Sequence, residues 1–292
     1  MFFDKRNKID KKITQIFPEE ILKNLDPQKV DYFGINISSD PSKDFSFKIY
    51  YLYKYSLELY SKSKKNPFID FLAKNKLMSF LTFVHDEKAT DCSRYDAALY
   101  MHPKKKREAV FSYLKENCSF YNKYEKEILE LSEMKVFEND DIKHASFWFV
   151  ALLDDGKALK CHWYNRASLR DVESLNNEYY FNFIENSSVE GLKKILPMAK
   201  KAIQNCSGYM YMEGIDYDKF ASQKHKIYIY EPENTFNGLI KTYSDNKELC
   251  KKLKVLKKWN DLHEELYCAG FAIGEDANNN SVINLYLRFK GT

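Results

Sequence analysis

Long apolar runs, paired cysteines and linker-like segments are all missing from this 292-residue sequence. No apolar run approaches the roughly 20 residues that a membrane-spanning helix needs, which argues against a membrane protein. The first residues, Met1–Arg6, turn charged at once and lack the apolar core of a signal peptide. No stretch rich in proline and glycine divides the chain. We therefore expect a soluble, cytoplasmic protein whose residues 1–292 form a single domain.

Cysteine and histidine spacing argues against disulfides and against a metal site. Six cysteines are scattered without a Cys-x-x-Cys pair, which favours reduced thiols over a disulfide framework: Cys92, Cys118, Cys161, Cys206, Cys250 and Cys268. Cys161 lies on the apolar face of a predicted strand and is expected in the core. Five of the histidines show no metal-ligand spacing, so a zinc site is not predicted: His85, His102, His144, His225 and His263.

Charge is balanced, whereas aromatic residues are abundant. The 46 basic and 42 acidic side chains leave a net charge of +4, which by itself predicts no polyanion partner. The basic run Lys104–Arg107 opens a predicted helix and is typical of a solvated helix face rather than of a nucleic-acid site. By contrast, 22 tyrosines and 21 phenylalanines supply most of the 16% aromatic content. The positions of the tyrosines therefore carry the functional argument.

One pattern occurs five times along the chain. In each repeat an apolar strand runs into a polar turn and returns as a strand of strict apolar–polar alternation, which predicts a β-hairpin. The predicted hairpins span Tyr32–Tyr55, Leu77–His102, Ala145–Tyr164, Tyr209–Tyr230 and Cys268–Phe289. Apolar residues at helical spacing fill the gaps. They predict helices over Pro18–Leu25, Asn66–Ala73, Lys104–Leu131, Ser168–Ile184, Val189–Asn205 and Thr235–Leu266, the last with a break near Ser244–Asn246.

Each return strand combines an apolar face with a face of polar residues and tyrosine. In the fourth hairpin, Ile227 and Ile229 alternate with Lys226 and Tyr228. The apolar faces give the helices a surface to pack on, so the polar faces point away from the helices. The fold class is therefore α/β, with the helices outside. If the ten strands close into an antiparallel barrel of repeated α-β-β-α units, the polar faces line a cavity. A helix-backed open sheet fits the same alternation.

A short motif recurs at equivalent positions of the return strands. It reads Lys48-Ile49-Tyr50, Lys160-Cys161-His162, Lys226-Ile227-Tyr228 and Asn284-Leu285-Tyr286, and the second hairpin departs from it with Ala98-Leu99-Tyr100. With five helix–hairpin units over Tyr32–Phe289, the chain resembles the ABBA prenyltransferases. That family includes bacterial phenol and indole prenyltransferases, fungal dimethylallyltryptophan synthases and cyanobactin peptide prenyltransferases. The resemblance implies a ten-stranded barrel surrounded by helices.

The resemblance also implies an activity. A transferase of this kind moves a dimethylallyl, geranyl or similar allylic group from its pyrophosphate to an aromatic small molecule or a peptide. Asp140-Asp141 and Asp154-Asp155 both lack the third acid of an Asp-Asp-x-x-Asp motif, which argues against the all-helical isoprenyl synthases. A requirement for Mg²⁺ stays open, because members of the family differ. The alternative is a barrel that binds an isoprenoid or another lipid without catalysis.

The resemblance assigns two sets of inward-facing side chains to the donor. Basic residues would hold the pyrophosphate through charge-assisted hydrogen bonds: Lys48, Lys160, Lys224, Lys226 and Arg288. Rings stabilise a cation above their faces, so a second set would shield the allyl cation or stack on the acceptor: Tyr50, Tyr100, His162, Tyr164, Tyr228, Tyr230 and Tyr286.

The acceptor must lose a proton, so a base would assist the transfer. On the outgoing strand of the fourth hairpin, Met210 and Met212 are predicted to face the helices, which leaves Glu213 on the inner side. Glu213 is therefore the first predicted base and Asp96 the second. Asp216, near the turn, is assigned a structural role.

Overall fold

The computed structural model describes residues 26, 28–52, 66–75, 80–86, 94–99, 104–134, 147–153, 158–164, 177–218, 223–230 and 232–291. Ten strands lie in these ranges: β1 Val30–Ser38, β2 Ser46–Tyr51, β3 Phe80–Asp86, β4 Arg94–Leu99, β5 Phe147–Leu153, β6 Ala158–Tyr164, β7 Tyr209–Asp218, β8 Gln223–Tyr230, β9 Leu266–Glu275 and β10 Ser281–Phe289. The helices of the same ranges are α1 Pro67–Lys74, α2 Lys104–Asn117, α3 Tyr121–Met134, α4 Asn177–Asn186, α5 Glu190–Cys206, α6 Thr235–Thr242 and α7 Lys247–Asn260.

The strands form one antiparallel sheet that curls back on itself. Each strand pairs with the next along the chain, and β1 also pairs with β10, which closes the order of pairings. The register across that last junction sets Phe33 against Leu287 and Ile37 against Ile283. All five predicted hairpins are present as strand pairs. The predicted class, an α/β fold with a curled antiparallel sheet, is confirmed.

Local capping explains where two of the helices begin. The side-chain oxygen of Asn66 accepts a hydrogen bond from the backbone N–H of Phe68 at 2.9 Å, and Pro67 occupies the first turn of α1. Asn246 likewise accepts from the N–H of Leu249 at 3.0 Å and starts α7. The predicted break before Asn246 is therefore confirmed, because α6 has already ended at Thr242.

Other predicted helices differ in extent. Residues 104–131 form two helices, α2 and α3, because the N–H of Tyr121 bonds to the carbonyl of Cys118 and closes a turn between them. Helix α7 ends at Asn260, and Leu266 already belongs to β9. Only α4 represents the helix predicted over residues 168–184 within the described ranges. The helix predicted over residues 18–25 lies outside them.

The hydrophobic core lies between the sheet and the helices. Helix α5 buries one apolar stripe against it: Leu192, Ile195, Leu196, Ala199, Ala202 and Ile203. The sheet contributes its apolar face, represented by Trp163, Ile227 and Leu285, each fully buried. Burying a large aliphatic side chain contributes roughly 1.5–3 kcal/mol, so this layer fixes which face of the sheet meets the helices. The opposite face, called the inner face below, carries the polar residues.

Cysteines of the described ranges are free thiols, as predicted: Cys118, Cys161, Cys206, Cys250 and Cys268. Cys161 is completely buried in the core, which confirms its predicted place. Among the described residues, no helix is long and apolar enough to cross a membrane.

Candidate active site

Two lysines share one carboxylate on the inner face. Lys160 on β6 and Lys226 on β8 flank Asp216 on β7. The Lys160 and Lys226 Nζ atoms lie 3.0 and 2.8 Å from the same Asp216 Oδ2. All three side chains are only about 15% exposed, so water screens the charges weakly. This lysine–aspartate cluster carries one net positive charge, which suits an anionic ligand.

Tyrosine rings gather beside this cluster. The Tyr286 ring stacks on Tyr228 with centroids 6.0 Å apart. It makes edge contacts with Tyr50 at 5.9 Å and with Tyr32 at 6.2 Å. We call these four residues the tyrosine cluster. It contains three of the predicted shield residues, Tyr50, Tyr228 and Tyr286, and adds Tyr32. Faces of such rings carry the negative side of the aromatic quadrupole and attract cations.

His162 links the two clusters. Its ring makes an edge contact with Tyr228 at 5.6 Å, and the Tyr228 hydroxyl lies 3.3 Å from His162 Nε2. His162 follows Lys160 by two residues, and Tyr228 follows Lys226 by two. Residues two apart on a strand share a face and lie roughly 7 Å apart. On each of these two strands, the lysine is therefore followed on the inner face by an aromatic ring two residues closer to the C-terminal end of the strand.

Glycine on an outgoing strand makes room for these rings. Gly214 lies between His162 on β6 and Lys226 on β8 in register. A Cβ atom at Gly214 would lie 2.3 Å from His162 Cδ2 and 3.1 Å from Tyr228 Cε2. Any larger residue would displace the histidine or the tyrosine.

The predicted inward position of Glu213 is wrong. A β-bulge between Met210 and Met212 adds one residue to β7 and reverses the alternation beyond it. Glu213 consequently pairs in register with Trp163 and Ile227, both on the core face. It is fully buried there, between the sheet and the helices. The same shift brings Asp216 to the inner face.

Arg288 does not join the lysines. Lys226 pairs with Gly274 and Gly274 with Val282, so Arg288 lies six residues further along β10, roughly 20 Å at strand spacing. Its guanidinium forms an ion pair with Asp31 and stacks over the Tyr32 ring at 4.1 Å. Burial raises the pKa of Asp31, and Arg288 acts in the opposite direction.

Three of the remaining predicted residues lie at separate places in the sheet. Lys48 is half-buried and pairs in register with Gly34, which also pairs with Tyr286, so Lys48 lies beside the tyrosine cluster. Lys224 is exposed at the start of β8. Tyr230 is half-buried and its ring contacts Tyr209 at 5.9 Å.

Three predicted residues cannot be placed as side chains. Tyr100 lies outside the described residues. Asp96 belongs to β4, opposite Thr82, and Tyr164 ends β6, but only their backbone positions are described. Within the described ranges, no group of three or more His, Cys, Asp or Glu side chains could hold a metal ion.

Sequence reasoning missed Tyr32 and did not foresee the contacts of Asp216 with the two lysines. The signal for Tyr32 is present in β1, where Tyr32, Gly34 and Asn36 alternate with buried apolar residues. That pattern matches the return strands and could have been used. The face of the sheet on which Asp216 lies depends on the bulge in β7, which the residue pattern does not show.

No protein-family profile matches the sequence, and no curated protein matches it significantly. Solved structures do match. The crystal structure of NotF prenyltransferase has a TM-score of 0.57 at 11% identity and covers 89% of this chain and 81% of its own. AnaPT from Neosartorya fischeri gives 0.53 at 12%, covering 89% and 79%. The 5-dimethylallyltryptophan synthase from Streptomyces coelicolor gives 0.50 at 9%, covering 89% and 81%. The chain therefore has the prenyltransferase-barrel fold.

Proposed function

We propose that this protein transfers an allylic prenyl group from its pyrophosphate to an aromatic acceptor. The observation that carries the proposal is the adjacency of the lysine–aspartate cluster and the tyrosine cluster on one face of the sheet. An allylic pyrophosphate has the same two parts, an anionic head and a tail that becomes cationic when the bond to the pyrophosphate breaks. A catalyst must stabilise both charges as they develop.

Lys160 and Lys226 are the proposed ligands of the pyrophosphate, with Lys48 as a third. Each ammonium group has three N–H donors, so a lysine can keep its bond to Asp216 and still donate to a phosphate oxygen. Asp216 then holds both lysines in place before the donor arrives. Lys224 and Arg288 have no part in this donor site, since one is exposed and the other is engaged with Asp31 far along β10.

Tyr286 and Tyr228 are proposed to face the allyl carbons. Tyr228 lies one strand step beyond Lys226, and the Tyr286 ring stacks on Tyr228, where the first carbons of the prenyl chain would follow the pyrophosphate. A cation above such a ring gains roughly 0.5–2 kcal/mol, more where water is absent. Tyr50 and Tyr32 extend this aromatic wall around Tyr286.

The closed order of ten strands is proposed to act as the reaction chamber. Enclosing the donor keeps water from the allyl cation, which would otherwise be captured as an alcohol. The outer layer of helices leaves the inner face as the surface on which the substrates meet. The tyrosine rings would also stack on a flat aromatic acceptor.

A solved complex of NotF contains brevianamide F and DMSPP. That complex supports a prenyl pyrophosphate donor and an aromatic acceptor for the present chain. Asp96 is retained as the proposed base, because its register partner Thr82 lies two residues from Val84, the partner of Tyr50. Glu213 is not retained, because it occupies the opposite face.

A transfer assay tests the proposal. Purified protein is incubated with radiolabelled dimethylallyl or geranyl pyrophosphate and a panel of indoles, phenols and tyrosine- or tryptophan-containing peptides. Labelled acceptor, separated by chromatography, is the expected product. Tight donor binding without product from any acceptor would instead favour the isoprenoid-binding barrel. Absence of both binding and product would overturn the proposal.

A further inference from the structure

A basic groove lies on the outer surface, away from the inner face of the sheet. It has a volume of about 670 Å³ and runs between α6 and α7. Five of the nine residues that line it are lysines, and all five are exposed: Lys241, Lys247, Lys251, Lys254 and Lys258. Half-buried apolar or weakly polar residues form its floor: Ile240, Cys250 and Val255. Ser244 completes the lining.

Four of these lysines form a stripe along α7. Lys247, Lys251, Lys254 and Lys258 follow one another at spacings of four, three and four residues, which places them on one face of the helix. The stripe is roughly 16 Å long at 1.5 Å per residue. Like charges at these spacings repel one another and weaken a helix. An anionic partner along the stripe would remove that repulsion.

Other lysines of α7 are already engaged within the protein. Lys252 is buried and donates to the backbone carbonyls of Ser38, Asp40 and Lys43 at 2.9, 2.9 and 2.8 Å. Lys257 lies 2.9 Å from the Asp261 carboxylate.

In contrast, no groove lysine forms an ion pair with any described residue. The whole chain carries a net charge of only +4, less than the groove's five lysines alone supply. The groove is therefore a local excess of positive charge on an otherwise balanced protein.

The shape and composition of the groove favour one class of anionic partner over others. Single-stranded nucleic acids are held by aromatic platforms and arginines, and none of the nine lining residues is of either kind. A membrane surface is engaged by apolar side chains that project outward, whereas Ile240 and Val255 lie on the floor of a concave groove. A polypeptide can meet both parts of the groove, because carboxylates reach the lysines while an apolar side chain enters the floor.

We propose that this groove binds an acidic segment of a partner polypeptide that carries at least one apolar side chain. A segment of about five extended residues, or three turns of helix, matches the length of the stripe. Lysines provide point charges without fixed geometry, so the recognition is of charge and spacing rather than of one sequence. The proposal does not rest on the prenyl-transfer function.

Fluorescence anisotropy with a labelled twelve-residue peptide of repeated Glu-Glu-Leu tests the proposal. We expect saturable binding by the 292-residue protein that weakens with added salt, and no binding of the matched Gln-Gln-Leu peptide. The double variant Lys251→Gln/Lys254→Gln should lose at least fivefold in affinity. The control Lys193→Gln/Lys257→Gln removes the same charge from two lysines that are paired with Glu190 and Asp261, and should change affinity less than twofold.

Each alternative partner has its own readout in the same assay. Anionic phosphatidylglycerol vesicles and a labelled twelve-nucleotide single strand are titrated in parallel with the peptide. Tighter binding of either one, peptide binding that the two double variants weaken equally, or no binding of any of the three would overturn the proposal. Circular dichroism melting of both variants shows that a lost affinity does not come from unfolding.

Discussion

The two ends of the inner face hold their cations in different ways. At one end, two lysines share the single carboxylate of Asp216, so these three side chains carry a formal charge of +1. At the other, Arg288 is matched one to one with Asp31 and stacks on Tyr32. A cluster with more cations than carboxylates favours an incoming anion, whereas a one-to-one ion pair holds two strands together. The proposed donor site therefore lies at the end with the shared carboxylate, and the ion pair at the other end is assigned a structural role.

Removing a lysine from the charged end has the largest expected effect. In Lys226→Ala the pyrophosphate loses a charge-assisted hydrogen bond worth about 1.5–3 kcal/mol, so the donor should bind at least about tenfold more weakly. Isothermal titration with a non-hydrolysable prenyl thiodiphosphate measures this. Lys224→Ala, which removes an exposed lysine two residues away, is the control and should bind nearly as well as the wild type. Unchanged affinity in Lys226→Ala would contradict the donor site.

Breaking the matched pair should affect stability rather than binding. Arg288→Met removes the partner of the half-buried Asp31 carboxylate, and we expect a loss of about 1–3 kcal/mol in the free energy of unfolding. Urea unfolding measures the loss. The double variant Asp31→Asn/Arg288→Met should regain part of it, because the charge left without its partner is gone. A large loss of donor affinity in Arg288→Met would instead place Arg288 in the donor site.

Between the two ends, Tyr286 tests whether the rings act on a cation. In Tyr286→Leu, donor binding should change little, whereas turnover should fall roughly tenfold, taking about 1–2 kcal/mol for a ring that is shielded from water. The reason is that the cation exists only near the transition state. Tyr286→Phe keeps the ring and should keep most of the turnover. Parallel losses of binding and turnover in Tyr286→Leu would favour a binding barrel.

The smallest expected effect concerns pH and His225, which lies behind the lysine–aspartate cluster. Burial lowers the pKa of His225 to about 4, against the opposing influence of Asp216 and Glu275. The unfolded chain therefore binds the proton more readily between about pH 6.5 and 4, so stability falls as the pH falls through that range.

From pH 7.5 to 5.5 the expected loss from this group is about 1 kcal/mol of unfolding free energy. Urea unfolding of the wild type and of His225→Gln at both pH values isolates it. The variant should show a smaller pH dependence by that amount. An identical pH dependence in the two proteins would show that His225 does not stay neutral in the folded state.

The sequence predicts correctly which side chains of the return strand β8 face inward, but not those of its partner β7. In β8 the alternation of Lys226 and Tyr228 with Ile227 and Ile229 runs without interruption, so each side chain lies on its predicted face. In β7 the run from Tyr209 to Met212 alternates just as regularly, yet a bulge interrupts the pairing there. A bulge depends on how two strands pair and leaves no mark in the pattern of one. Glu213 was predicted on the wrong face for this reason, and the inner position of Asp216 was not foreseen.

The relative positions of residues along neighbouring strands could not be predicted from the sequence either. Arg288 and Tyr286 share one side of β10, as alternation predicts, but alternation gives no position relative to β8. That position follows from register, which the structure sets through pairs such as Lys226 with Gly274. The residue types of the site could thus be predicted, while its boundary could not.

The pairing of β1 with β10 has a consequence for how the protein folds during its synthesis. Asn36 and Asn284, hydrogen-bonded side chain to side chain across it, are separated by 248 positions. During translation β1 leaves the ribosome before β10. The edge of β1 that pairs with β10 therefore stays unpaired until the last hairpin has been synthesised. Contacts between such distant segments slow folding, and an open edge invites pairing with another chain. Nascent chains halted before β10 should therefore be the species that depend most on chaperones.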